Sequence, residues 1–213
     1  MLFRSWMSDA TASSEVARAL EGWHGEWIVT HVSDDRNLGE VLRQASGVAD
    51  GEVLTKMDDD DFYSSEHVWD LVLARWYSGA QVVGKALDWV HLGRLDTTVF
   101  RPTYSAERFA KFVAGGTMAI SRADLAAVGG WRPIPRSVDR GLLDRVLQAG
   151  GLVYRTHGLG YVYVRHADAG GSANTSQVTE EHFLTKTKAT FPGLLRHPEL
   201  GSANDETPHV GVL

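Results

Sequence analysis

The chain has 213 residues, 43% of them apolar, a formal charge of -6 and no cysteine. That length can bury a sizeable core, so one folded domain is the default. The acidic balance and the lack of a Lys/Arg cluster argue against nucleic acid or an anionic membrane as main partner, and the missing thiols exclude disulfides and thiolate metal sites.

In chain order, Met1 to Glu26 is rich in Ala and Ser, with a short helix predicted over Ser14 to Leu20 and no legible function. Trp27 to Val32 is β-branched and aromatic and predicts a strand, followed by a polar turn through Asp34, Asp35 and Asn37. Leu38, Val41, Leu42 and Ala45 recur at helical spacing. After the break at Gly47 to Gly51, the apolar run Val53 to Met57 predicts a strand that ends on Asp58, Asp59, Asp60 and Asp61. Ser65 to Tyr77 reads as a buried helix carrying Val68, Trp69, Leu71, Val72, Leu73 and Trp76, stopped by Gly79. Strand, helix, strand, helix is the order of a doubly wound α/β domain.

Strands are then predicted over Gln81 to Val90, Thr97 to Arg101 and Phe112 to Ser121. The pair Gly115-Gly116 inside the last marks either a simple bend or a close approach of ligand to backbone. Arg122 to Val128 is a short helix, and Ser137 caps a longer one over Val138 to Ala149. Asp139 falls in its first turn, where a carboxylate often serves only the helix dipole. Leu152 to Thr156 and Gly160 to Arg165 read as paired strands, Gln177 to Phe191 as a helix, and residues after Pro192 as a disordered tail.

Four adjacent carboxylates repel one another unless compensated, and a divalent cation is the usual compensation; a solvated loop is the plain alternative. The run's position favours the cation, because carboxylates at the carboxyl end of a strand in an α/β sheet lie where such sheets bind ligands. The histidines show no zinc spacing.

The sequence Lys56-Met57-Asp58-Asp59-Asp60-Asp61-Phe62-Tyr63, the later Val83-Gly84-Lys85, the stretch Val113-Ala114-Gly115-Gly116-Thr117 and the helix start Ser137-Val138-Asp139-Arg140 resemble a family-two glycosyltransferase with a GT-A fold. The likeness runs from about Trp27 to Arg165. It implies a Rossmann-related α/β domain with a mixed, mostly parallel sheet flanked by helices, over residues 27 to 191. Residues 1 to 26 would then form an N-terminal helical segment and 192 to 213 a flexible tail. The strand-helix-strand unit that opens the family's domain finds no match in residues 1 to 26.

The resemblance also implies roles. Asp58 and Asp60 match the family's Asp-x-Asp element, which holds Mn²⁺ or Mg²⁺ on the diphosphate of a nucleotide sugar, with Asp61 behind them and His166 as a late ligand. Asp58, Asp59 and Lys85 fall on the donor side. Asp139 matches the general base that deprotonates the acceptor hydroxyl, with inversion at the anomeric carbon, although the family's preceding Glu is replaced by Val138. Gly115, Gly116 and Thr117 match the acceptor side. The pattern Gln-x-x-Arg-Trp of processive synthases is absent.

The expected activity is therefore transfer of a sugar from a nucleotide diphosphate sugar to a glycan or other hydroxyl acceptor. The alternatives are a non-catalytic GT-A-like interaction module and a metal-dependent phosphohydrolase. No apolar run reaches the roughly 18 residues of a membrane span and no signal-peptide pattern opens the chain, so the expected location is cytoplasmic, with a partner domain or a second copy possible.

Overall fold

The computed structural model describes residues 2–7, 26–33, 35–166 and 179–202. The predicted helix over Ser14 to Leu20, the turn residue Asp34 and the start of the helix predicted from Gln177 lie wholly or partly outside them. Among the described residues two five-stranded sheets carry the fold, beside a two-stranded parallel pair formed by β1 (Leu2–Met7) and β2 (Glu26–His31). β1 was not foreseen, and it ties the first residues of the chain to the strand expected to open the domain.

The first sheet has the order β3 (Val53–Thr55), β9 (Ala119–Ser121), β5 (Val82–Lys85), β10 (Val153–Thr156), β8 (Arg108–Phe109). Strand side chains alternate between faces, and here both faces are covered. Val82, Ile120 and Val153 pack with Leu42 of α1 (Leu38–Val48), Leu125 of α3 (Arg122–Ala127) and Leu142, Leu143 and Val146 of α4 (Val138–Gln148). The neighbouring Val83 and Ala119 pack with Leu71 and Ala74 of α2 (His67–Ser78). Each helix forms where its sequence allows: Asn37 and Glu40 make a reciprocal capping box at the start of α1, and Gly79, at φ 65°, ends α2.

The second sheet has the order β12 (Ala189–Pro192), β7 (Thr97–Phe100), β6 (Trp89–Leu92), β11 (Tyr161–Arg165), β4 (Phe62–Tyr63). Val90, Leu92 and Val99 form its core with Phe183 of the short helix α5 (Glu180–Leu184).

Several expectations are corrected. In the five-stranded sheets only β5–β10 and β6–β11 pair in parallel, so these sheets are mixed but largely antiparallel. The single strand expected over Gln81 to Val90 breaks at Ala86 and continues in the other sheet. Likewise β10 and β11 do not pair with each other; each joins a different sheet through its own parallel partner. The helix expected over Gln177 to Phe191 gives way after Leu184 to β12, whose register on β7 satisfies its backbone. Residues 193–202 are packed rather than disordered: Leu200 and Ser202 are buried, and the Gly160 N–H donates to the Glu199 carbonyl at 2.6 Å.

α2 departs most from its sequence pattern. Trp69 and Trp76, expected inside, are 58% and 83% exposed, and Val72 and Leu73 join them on the outer side. The buried stripe runs instead through His67, Leu71 and Ala74.

Candidate active site

The site forms where the end of β3, the loop to β4, the Gly115–Thr117 turn and the start of α4 meet. β3 pairs antiparallel with β9, and the Lys56 N–H extends that ladder to the Met118 carbonyl at 2.8 Å. The chain before Met118 is a single 3-10 turn over Gly115–Thr117, not the strand expected from Phe112 onward. The acidic run therefore leaves its strand directly opposite this turn.

Tyr63 fastens the two together. Its hydroxyl accepts the Asp58 N–H at 2.8 Å and donates to the Gly116 carbonyl at 2.9 Å. The glycines allow the contact to be close. A β-carbon on Gly116 would stand 2.8 Å from Asp58 Oδ2 and 3.1 Å from Asp61 Oδ2, and one on Gly115 would overlap the Asp139 carboxylate. The glycine pair forms a bend shaped around carboxylates.

The acidic residues are used differently. Asp59 is exposed. Asp58 Oδ1 accepts from Lys56 Nζ at 2.5 Å. Asp60 Oδ2 faces Nε2 of the half-exposed His166 at 3.7 Å, and burial with the charges of Asp58 and Asp59 moves the Asp60 carboxyl above its ordinary range. Asp61 is buried and both its oxygens take protein donors, the Tyr161 hydroxyl at 2.7 Å and the Val164 N–H at 2.8 Å. Burial and Asp58 still push it well up, against those two hydrogen bonds. Asp61 thus braces the loop against β11.

Asp139 lies in the first turn of α4, behind Ser137. Ser137 does not cap the helix as expected: it is held at φ 58°, in the left-handed region, and its side chain makes no capping bond. Asp139 Oδ2 is 3.8 Å from Lys56 Nζ, while Oδ1 is buried with no hydrogen-bond partner among the described residues. Burial raises the Asp139 carboxyl, opposed by Lys56 and reinforced by Asp58. Lys56 itself is 6% exposed; burial alone would lower it, but Asp139 and Asp58 outweigh that and raise it.

The structure thus brings Asp58, Asp61 and Asp139 to the Gly115–Gly116 turn, and it sets Asp60 opposite His166. It sets Lys85 and Thr117 to other work. Lys85, foreseen as a phosphate contact, is fully buried and bound to Asp70 Oδ2 at 2.5 Å and the Leu159 carbonyl at 2.7 Å. The Thr117 hydroxyl accepts the Lys85 N–H and donates to the Ala114 carbonyl, both at 2.8 Å. Sequence reasoning missed Lys56, Tyr63 and Tyr161 as parts of the site. Of these Lys56 and Tyr63 carry a local signal, since they flank the acidic run at two residues on either side.

Carboxylates and an imidazole suit a hard divalent ion chemically. Yet among the described residues no three such side chains are grouped to hold one. Asp58 Oδ1 accepts from Lys56, both Asp61 oxygens take protein donors, and Asp60 faces His166. Among the described residues no helix is long and apolar enough to cross a membrane.

No family profile and no curated protein matches the sequence. Solved structures do match. GalNAc-T7 with UDP, GalNAc and Mn²⁺ superposes with a TM-score of 0.62 at 13% identity, over 82% of this chain and 39% of that one. TarS 1-349 of S. aureus with UDP-GlcNAc gives 0.59 at 11% identity, over 83% and 52%. TarS 1-349 alone gives 0.56 at 12%, over 76% and 50%. The chain thus spans about half or less of the length of each of these glycosyltransferases. What it has in common with them over that span is the GT-A fold.

Proposed function

We propose that this chain is a glycosyltransferase domain that moves a sugar from a nucleotide diphosphate sugar to an acceptor hydroxyl. The observation that carries the reading is the meeting of Asp58 and Asp139 at one glycine turn, with Asp60 facing His166 on the same acidic loop, in a fold whose solved examples hold UDP or UDP-GlcNAc. Asp58, Asp60 and His166 are the residues that would hold Mn²⁺ or Mg²⁺, which supplies positive charge for the departing diphosphate. Asp139 takes the acceptor proton. Its side chain is 30% exposed, and a carboxyl raised by burial is a stronger base than an unperturbed one. One base on the acceptor side gives displacement with inversion. Lys85 and Thr117 support this site from within the sheet, and Gly115 and Gly116 shape the acceptor side.

A second reading, an interaction module without catalysis, draws on the Lys56–Asp58 pair, which already neutralises part of the acidic run. Calorimetric titration with UDP and GDP, each with and without Mn²⁺, separates the two. Metal-dependent nucleotide binding that Asp60→Asn abolishes supports the transferase. A folded wild-type protein that binds neither nucleotide under any condition overturns it in favour of the module. Product anomer analysis by NMR then tests inversion.

A further inference from the structure

The solvent side of α2 has no part in the chemistry proposed above. Its exposed residues are Trp69, Val72, Leu73, Trp76 and Tyr77, all apolar or aromatic. They recur at i, i+3, i+4, i+7 and i+8, the spacing of a helix stripe that packs on another element. The opposite stripe, with Leu71 and Ala74, is already packed on Val83 of β5 and Ala119 of β9. α2 therefore has two apolar faces, and one of them is open. The open face runs on to the sheet edge: Tyr77 meets Tyr154 edge-on at 5.6 Å, and Tyr154 meets the exposed Phe109 of β8 edge-on at 5.5 Å. Charges beside it are engaged within the molecule. Asp70 binds Lys85, Arg75 binds Asp124 at 3.1 Å, and Glu107 accepts from the Tyr77 and Tyr154 hydroxyls.

We propose that this face is a homodimer interface, in which α2 packs antiparallel on α2 of a second copy about a two-fold axis near Val72 and Leu73. A two-fold contact needs a patch complementary to itself. The stripe Trp69, Val72, Leu73, Trp76 reads large, small, small, large, and its midpoint falls between Val72 and Leu73. Reversal about that midpoint brings each Trp69 beside a Trp76 and leaves the shorter aliphatic side chains to fill the centre. The area agrees. Trp69, Trp76, Tyr77 and Phe109 are each more than half exposed, so with Val72 and Leu73 the patch amounts to roughly 600 Å² per copy, the upper end of what a monomer leaves open. Pairing two such patches would bury about 1,200 Å², enough for a specific interface. A lipid surface fits less well. Helices that lie on membranes line their polar side with Lys and Arg, whereas the only such residue of α2, Arg75, is held by Asp124.

The test is sedimentation velocity of the full chain over the micromolar range, for wild type and Trp76→Glu. Wild type is expected to sediment as a dimer. Trp76→Glu places a charge at the most exposed position of the stripe, and is expected to raise the dissociation constant at least about thirtyfold while leaving the circular dichroism unchanged. The lack of cysteine allows a second readout. Leu73→Cys, beside the axis, is expected to be joined into covalent dimers by a short bis-maleimide. Gln44→Cys, exposed on α1 at the opposite face of the sheet, is expected to stay unlinked. A wild type that is monomeric throughout the range overturns the proposal, and flotation of that monomer with phosphatidylcholine vesicles would assign the face to a lipid surface instead. A dimer that persists in Trp76→Glu, or that Leu73→Cys fails to link, also overturns it, because the copies then meet elsewhere.

Discussion

Gly115 lies against Asp139 so closely that a β-carbon on the glycine would overlap the carboxylate. The next residue, Gly116, stands in the same relation to Asp58, with Tyr63 and Asp61 close by. Two adjacent glycines thus admit two different carboxylates to one turn, and substituting them separates the two halves of the proposed chemistry. Gly115→Ala displaces the base and is expected to lower turnover at least about tenfold while leaving metal-dependent UDP binding near wild type. Gly116→Ala crowds the acidic loop and is expected to weaken UDP binding first. Parallel loss of both properties in both variants would mean that the turn acts only as scaffold.

Tyr63 links the acidic loop to that turn through one hydroxyl that both accepts and donates. Tyr63→Phe keeps the ring and its edge contact to His67, whose centroid is 4.7 Å away, but leaves the Asp58 N–H and the Gly116 carbonyl without this partner. The expected cost is about 1–3 kcal/mol of stability, read from urea unfolding, together with weaker nucleotide binding. A variant as stable as wild type would show that water replaces the hydroxyl without cost.

What was legible in the sequence was whatever depends on near neighbours. The spacing of Leu38, Val41, Leu42 and Ala45 gave α1, and the run Val53 to Met57 placed β3 and the acidic loop after it. The order of elements pointed to the fold class. Contacts that depend on which strands pair were not legible. Tyr161 meets Asp61 from 100 residues away only because β4 pairs with β11, and no local pattern encodes that. The break at Ala86 was hidden for a similar reason: Val82 to Lys85 and Trp89 to Leu92 both read as strand, and only tertiary pairing divides them between sheets. For α2, apolar side chains on most turns gave no face to choose, and packing on the sheet selected Leu71 and Ala74 over the tryptophans.

Asp60 and Asp61 are adjacent and chemically identical, yet they should respond to substitution in opposite ways. Asp61 accepts from the Tyr161 hydroxyl and the Val164 N–H, and an amide oxygen with its NH₂ can satisfy only one of those donors well. Asp61→Asn is therefore expected to lose about 1–3 kcal/mol of stability, with no recovery on adding Mn²⁺. Asp60→Asn, which faces His166 at a longer distance, is expected to melt near wild type and to lose Mn²⁺ binding. Thermal melts of both variants with and without Mn²⁺ decide the point; rescue of Asp61→Asn by the ion would make Asp61 a ligand after all.

His67 supplies a prediction that involves no ligand. It is 1% exposed on the inner side of α2, against Tyr63 and near Tyr161, and its pKa is lowered to about 3 by burial first and by the charge of Lys85 second, with the Gly160 backbone opposing. In the unfolded chain the imidazole titrates at 6.5. Between that value and about 3 the unfolded state binds a proton that the folded state does not. The contribution is therefore complete above the unfolded value and is lost as pH falls, with a slope approaching about 1.4 kcal/mol per pH unit. Substituting His67→Phe preserves an aromatic ring against Tyr63 and removes the titration. The carboxylates of the site titrate in both proteins and cancel in the comparison. Urea unfolding at pH 7, 6, 5 and 4 should show wild type losing stability faster than the variant below about pH 6.5, by up to one proton's worth of slope. Parallel curves would mean that the folded protein admits the proton, through water or a rotation of the ring toward solvent, and that His67 is not held neutral by its place in the core.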